Sequence, residues 1–196
     1  MLILAIGDLY IPDRAIDLPQ KFRKLLSPGK VKQVICTGNV TDTPTLEYLK
    51  SLSPEYLAVK GEYDLTANLP VNKVVSHGQL KIGIVAGHSV IPNGDPDALL
   101  IVARQLDVDV LIWGGTHRVE AYQMEGKFFI NPGSATGAFY HGWEETVEDN
   151  DEEGLSEPVP SFCLLDVQGA GCDLYIYSSI DGDVKVDKLT YKKETN

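Results

Sequence analysis

Apolar residues in this chain come in short runs that stop at glycine. Residues 2–6 form an unbroken apolar run closed by Gly7-Asp8, the pattern of a buried strand ending in a turn. Across residues 19–26 the period changes. Phe22, Leu25 and Leu26 recur at helical spacing, and Ser27-Pro28-Gly29 ends the segment. Residues 33–36 predict a second strand running into Thr37-Gly38-Asn39. Thr43-Pro44 then opens a helix with Leu46, Leu49 and Leu52 on one face, and residues 56–59 predict a third strand that enters Gly61. Strands alternating with helices in this way predict a parallel sheet covered by helices.

Past Pro70 the pattern turns to strands. Residues 73–77 and 80–85 are separated by Gly78-Gln79, the signature of a hairpin. Residues 95–106 read as a helix with Pro96 in its first turn, and residues 108–113 as a buried strand running into Gly114. Further strands are predicted at 119–124, 127–130, 161–167, 174–178 and 184–189. In the last two, Leu174 and Ile176 alternate with Tyr175 and Tyr177, and Val184 and Val186 with Lys185 and Asp187. Alternation marks a sheet with one covered and one open face. Two mixed sheets flanked by helices make a four-layer α/β/β/α sandwich, read as one domain over residues 1–196.

Charge changes this picture at one place. The net charge is −11, and residues 144–157 hold eight acids (Glu144, Glu145, Glu148, Asp149, Asp151, Glu152, Glu153, Glu157) and no base. Without them the chain is close to balanced. Residues 141–157 read as an acidic loop insertion, and the overall sign argues against nucleic acid or an anionic membrane as a direct partner. Cys36, Cys163 and Cys172 are odd in number and lack metal-ligand spacing, which fits a reducing compartment. The apolar start is interrupted by Asp8 and is too short for a signal peptide, so the expected location is cytoplasmic.

Candidate chemistry sits at the strand ends. Gly7-Asp8-Leu9-Tyr10, Gly38-Asn39, Gly61-Glu62-Tyr63-Asp64, Gly87-His88 and Gly114-Gly115-Thr116-His117 place short polar side chains just past apolar runs. The series acid, amide, acid, imidazole, imidazole suits a centre of two metal ions, which needs carboxylates and imidazoles on both ions and a carboxylate between them. Several positions hold poor ligands, however. Asn39 is neutral, Tyr10 is a phenol that is protonated at neutral pH, and Gly115 has no side chain. Asp64 reads better as a loop-shaping group than as a ligand.

These blocks resemble those of the calcineurin-like metallophosphoesterases, whose pattern runs Asp-x-His, Gly-Asp, Gly-Asn-x-Asp, Gly-His and Gly-His-x-His. On that resemblance Tyr10 stands where a histidine is expected, Asn39 replaces the bridging aspartate, Glu62 replaces an asparagine, and Gly115 replaces a histidine. The residues carried over as a vestigial, weak or absent metal site are Asp8, Asn39, Glu62, His88 and His117, with zinc or manganese as the ion such a site would take. No cofactor is required and no catalytic residue is assigned.

The likeness narrows to the branch of this family that forms the small subunit of retromer. It is carried by Ile11-Pro12, Cys36-Thr37-Gly38-Asn39, Val90-Ile91-Pro92, residues 131–138 (NPGSATGA), Pro160-Ser161-Phe162 and Asp183-Val184-Lys185-Val186. The branch implies a non-catalytic scaffold in endosome-to-Golgi and recycling transport, cytoplasmic and peripheral to the endosomal membrane through the complex. It implies that the former metal face binds the C-terminal helical solenoid of the large retromer subunit (vacuolar protein sorting 35 type), with Val90 and Ile91 as contacts. It further implies a second apolar patch for regulatory proteins at Leu2, Leu25, Leu164, Tyr175, Tyr177, Val184 and Val186. Two other readings stay open: a weak metal-dependent phosphodiesterase with an altered site, and an interaction module stiffened by a bound ion.

Overall fold

The computed structural model describes residues 1–64, 68–140 and 158–193, so the predicted acidic insertion lies outside the described residues. Strand β1 (Leu2–Ile6) is followed by α1 (Gln20–Leu25), β2 (Gln33–Cys36), α2 (Thr43–Ser51) and β3 (Glu55–Ala58). Then come β4 (Asn72–His77), β5 (Leu80–Val85), a short 3-10 turn at Gly87–Ser89, α3 (Pro96–Gln105) and β6 (Val110–Trp113). The chain continues through β7 (Val119–Met124), β8 (Lys127–Pro132), β9 (Ser161–Gln168), β10 (Gly171–Ile180) and β11 (Asp183–Lys192).

The strands form two mixed sheets, ordered β11-β10-β9-β1-β2-β3 and β4-β5-β6-β8-β7. Pairs β1–β2, β2–β3, β5–β6 and β6–β8 are parallel, and every other pair in the two sheets is antiparallel, so β3 is a parallel edge while β11, β4 and β7 are antiparallel edges. Three apolar clusters make the layers. Ile3, Ile35, Ile84, Ile112 and Leu165 fill the space between the sheets. Leu4, Phe22, Val34, Leu49 and Phe162 form the cluster to which α1 and α2 contribute, on the first sheet. Val85, Leu99, Ala103, Leu111 and Trp113 do the same for α3 on the second. The result is the expected α/β/β/α sandwich.

Local signals set the helix starts. Asp42 accepts a hydrogen bond from Thr45 N at 3.0 Å and Asp95 one from Ala98 N at 2.8 Å, each ahead of a proline in the first turn. The last hairpin is longer than predicted. Strands β10 and β11 pair over ten positions, from Gly171↔Lys192 to Ile180↔Asp183. The added residues include Cys172 and Tyr191, which are buried in the inter-sheet core but lie beyond the run of clear apolar alternation. Along β10, Cys172 and Leu174 face the inter-sheet core, while Tyr175 and Tyr177 face the side of α1.

At the end of the sandwich where β2 and β3 begin, a polar bridge joins the sheets. His77 Nε2 donates to Gln33 Oε1 at 2.9 Å, and Gln33 Nε2 donates to Glu55 Oε2 at 2.9 Å. Burial holds the His77 imidazole below its usual value near 6.5, against the opposing pull of Glu55. The unfolded chain therefore takes up this proton first as pH falls through about 6.5, and His77 weakens the folded state there. Thermal melts across that range are expected to show a smaller loss of stability on acidification in His77→Gln than in the wild-type chain; equal losses would remove His77 from the account.

Candidate functional site

The carboxyl ends of β1, β2, β3, β5 and β6 converge, and the turns that follow them carry the five polar blocks. The chain pays for this convergence in backbone conformation: Asp8 (φ 50), Tyr10 (φ 50), Asn39 (φ 56) and His117 (φ 59) all lie in the left-handed region. Interlocking hydrogen bonds hold them there. Asp8 N donates to Gly38 O, while Leu9 N and Tyr10 N both donate to Asn39 O, each at 3.0 Å. Close approach excludes side chains at two glycines. A Cβ on Gly87 would lie 1.6 Å from Gly114 O, and one on Gly7 would lie 1.8 Å from Thr37 Oγ1.

Asp8 is fully buried, and protein donors engage both its oxygens. Asn39 Nδ2 donates to Oδ1 at 2.8 Å and Gly115 N to Oδ2 at 2.6 Å. Burial raises the carboxyl above its usual range, opposed by the charge of His117 and by these two donors. Asn39 is equally committed, since its Oδ1 accepts from Tyr63 N at 3.1 Å. His117 Nδ1 lies 2.6 Å from Ala138 O, and because a carbonyl only accepts, Nδ1 carries the proton. Its Nε2 is buried and unpartnered among the described residues.

Asp64 behaves as the loop-shaping residue that the sequence suggests. Its Oδ2 accepts from Asn39 N and Gly61 N, each at 2.8 Å, and its Oδ1 from Val40 N at 3.0 Å. One carboxylate thus ties the turn after β2 to the turn after β3.

Above this buried layer opens a cleft of ≈ 220 Å³ lined by Tyr10, Arg14, Asn39, Glu62, His88 and Asn93 among others. Tyr10 closes its floor. The ring stands 4.9 Å from that of His117, and burial together with Asp8 pushes its phenol well above the usual value, so it stays protonated. Glu62 and His88 are exposed on the cleft wall. Among the described residues no three His, Cys, Asp or Glu side chains come together as a ligand set. The free lone pair of His117 Nε2 suits a metal, but the rest does not: each Asp8 oxygen already accepts a protein hydrogen bond, the neutral Asn39 stands where a bridging charge is needed, and position 115 has no side chain. A divalent ion needs about four to six donors. These residues do not fit the two-ion centre that the fold family implies.

The predicted docking pair divides. Ile91 is 85% exposed, but Val90 is only 2% exposed and packs in the cluster with Leu99 and Trp113. Val90 is therefore a core residue, and its side chain cannot be a partner contact. The second predicted patch does lie on one face. Cross-strand pairs Leu164↔Tyr175, Tyr177↔Val186 and Ser179↔Val184 put Leu164, Tyr175, Tyr177, Val184 and Val186 on the same side of the sheet as Leu2. Leu2, Leu25, Leu164 and Tyr177 line a groove of ≈ 190 Å³ beside α1, while Tyr175, Val184 and Val186 lie outside its lining. Arg14, Tyr63 and Phe139 are site residues that pattern and spacing did not suggest, because only the fold brings their three turns together.

Glycine-ended strands of two stacked sheets that converge on Asp8, Asn39, Asp64 and His117 define a calcineurin-like phosphoesterase fold. Consistent with this, the family profile described as the Calcineurin-like phosphoesterase superfamily domain matches residues 1–168. Vacuolar protein sorting-associated protein 29 of Schizosaccharomyces pombe is 48% identical over 193 residues, covering 98% of this chain and 99% of the relative. The crystal structure of Chaetomium thermophilum Vps29 matches with a TM-score of 0.89 at 50% identity, covering 99% of this chain and 100% of that one. Wild-type Vps29 of Entamoeba histolytica complexed with zinc matches with a TM-score of 0.85 at 42% identity, covering 97% and 99%. The chain belongs to the calcineurin-like phosphoesterase superfamily and, within it, to the vacuolar protein sorting-associated protein 29 family.

Proposed function

We propose that this chain is the small, non-catalytic subunit of retromer and that it docks the C-terminal helical solenoid of the large subunit on its cleft face. The observation that carries the reading is Ile91, an isoleucine 85% exposed beside a cleft in which Asp8 and Asn39 are hydrogen-bonded to the protein. An isoleucine exposed to this extent gains the full free energy of burial when a partner covers it. Membership in the vacuolar protein sorting-associated protein 29 family supports the same assignment. The apolar groove beside α1, extended by Tyr175, Val184 and Val186, serves regulatory proteins. Association with endosomal membrane runs through the complex; among the described residues no helix is long and apolar enough to cross a bilayer.

Affinity purification of the chain from its native cells tests the assignment. Recovery of a large helical-repeat protein in near-equal amount supports it, and recovery of the chain alone overturns it. Asp8 and Asn39 are already tied to protein donors, and docking through the exposed Ile91 calls for no metal. Chelation is expected to leave the affinity for the large subunit unchanged, and manganese to promote no turnover of a generic phosphodiester. A manganese-dependent rate lost in His88→Ala would instead establish the phosphodiesterase reading.

A further inference from the structure

Arg14 is a half-buried cation with no carboxylate partner among the described residues, in a chain whose net charge is −11. Other cations sit in exposed ion pairs, such as Arg23 with Asp17, Lys81 with Asp107 and Lys188 with Asp173. Arg14 is instead boxed by rings. Its guanidinium carbon lies 4.3 Å from the ring centroid of Tyr10, 5.0 Å from that of Tyr63 and 5.2 Å from that of Phe139. Nη1 donates to Phe139 O at 3.2 Å. The rings come from three separate turns, so the guanidinium is fixed where it lines the cleft, and their faces stabilise its charge. A guanidinium has five N–H donors, and the Phe139 carbonyl takes one side of the fork.

We propose that Arg14 is an anion receptor that takes the carboxylate of an aspartate or glutamate side chain from the docked solenoid. It supplies by guanidinium the positive charge that divalent ions supply in a two-metal cleft. The proposal rests on the docking reading above. Three observations select the ligand. The fork of Arg14 matches a carboxylate in two-point geometry, and the aromatic box has already restricted the side chain that must be ordered. The other polar groups on the lining include the neutral amides of Asn39 and Asn93. Glu62 on the cleft wall repels an anion more strongly the more negative it is, which favours a singly charged carboxylate over a multiply charged phosphoryl group. The surroundings suit a ligand with an apolar body, since Tyr63 and Phe139 are both about half exposed beside Arg14.

Titration calorimetry of the large-subunit solenoid against the wild-type chain, Arg14→Gln, Arg14→Lys and Ile91→Asp tests this. Loss of one desolvated, charge-assisted pair is expected to weaken Arg14→Gln by about tenfold or more, while Arg14→Lys keeps the charge and recovers part of the affinity. Wild-type affinity in Arg14→Gln, with binding still lost in Ile91→Asp, overturns the receptor and leaves the docking reading standing. Wild-type affinity in both variants overturns the docking reading itself. If Arg14→Gln does not fold, Arg14→Lys decides the matter, because loss of the planar fork must weaken binding and unchanged affinity refutes the role. Inorganic phosphate is expected not to compete with the solenoid; competition that is absent in Arg14→Lys would replace the carboxylate by a phosphoryl ligand and overturn the assignment.

Discussion

Replacing Ile91 by aspartate is expected to abolish co-purification of the large subunit while leaving the chain folded. The side chain is 85% exposed, so the free protein loses almost no packing. In the docked state the same position would bury an unpaired carboxylate, which costs about 3–5 kcal/mol, a weakening of some hundredfold to several thousandfold. Pull-down and calorimetry read the loss, and an unchanged thermal melt shows that the fold survived. Val90 supplies the contrast. Val90→Asp would place a charge in the core with Leu99 and Trp113, so it is expected to lower the yield of folded protein before any interface is reached. If Ile91→Asp still co-purified normally, the cleft face would not be the docking surface.

The second large effect is one of stability. Removing the carboxylate of Asp64 by Asp64→Ala strands three backbone donors, Asn39 N, Val40 N and Gly61 N. Hydrogen bonds to a charged acceptor contribute about 1.5–3 kcal/mol each. Water can reach part of this half-buried site, so the expected net loss is about 3–5 kcal/mol. For a chain of this size that lowers the melting temperature by roughly 10 °C. Asp64→Asn, which keeps an oxygen acceptor but not the charge, is expected to fall between the two. A melt unchanged in Asp64→Ala would mean that Asn39 and Gly61 hold their conformations without the tie.

Much of this architecture was legible because its strands are short apolar runs with glycine at their ends. The two-sheet sandwich, the hairpin at Gly78-Gln79 and the inward and outward faces of β10 all follow from period and punctuation. The role of Asp64 was legible too, from a short carboxylate three residues past a glycine in a turn. Other features depend on distances that no local pattern encodes. Val90 and Ile91 are adjacent apolar residues, and only the packing against α3 separates a core side chain from an exposed one. His88 and Glu62 belong to the same ordered series as Asp8 and His117, yet the turn at Gly87–Ser89 leaves His88 exposed. Arg14 has no periodic signal at all, since its setting comes from rings at positions 10, 63 and 139.

Strand β1 reaches both proposed binding regions. Leu2 at its start lines the apolar groove beside α1, and Tyr10, four residues beyond its end, lines the cleft. From Leu2 to Ile6 the extended backbone spans about 13 Å, and the strand is paired on both edges, with β2 and with β9. Such an element cannot stretch, bend or slip register without breaking the sheet. A regulator seated in the groove and a solenoid seated on the cleft would thus be held at a fixed separation by the same buried strand. On that reading the chain would act as a rigid gauge between the two proposed occupants, each free to bind without displacing the other.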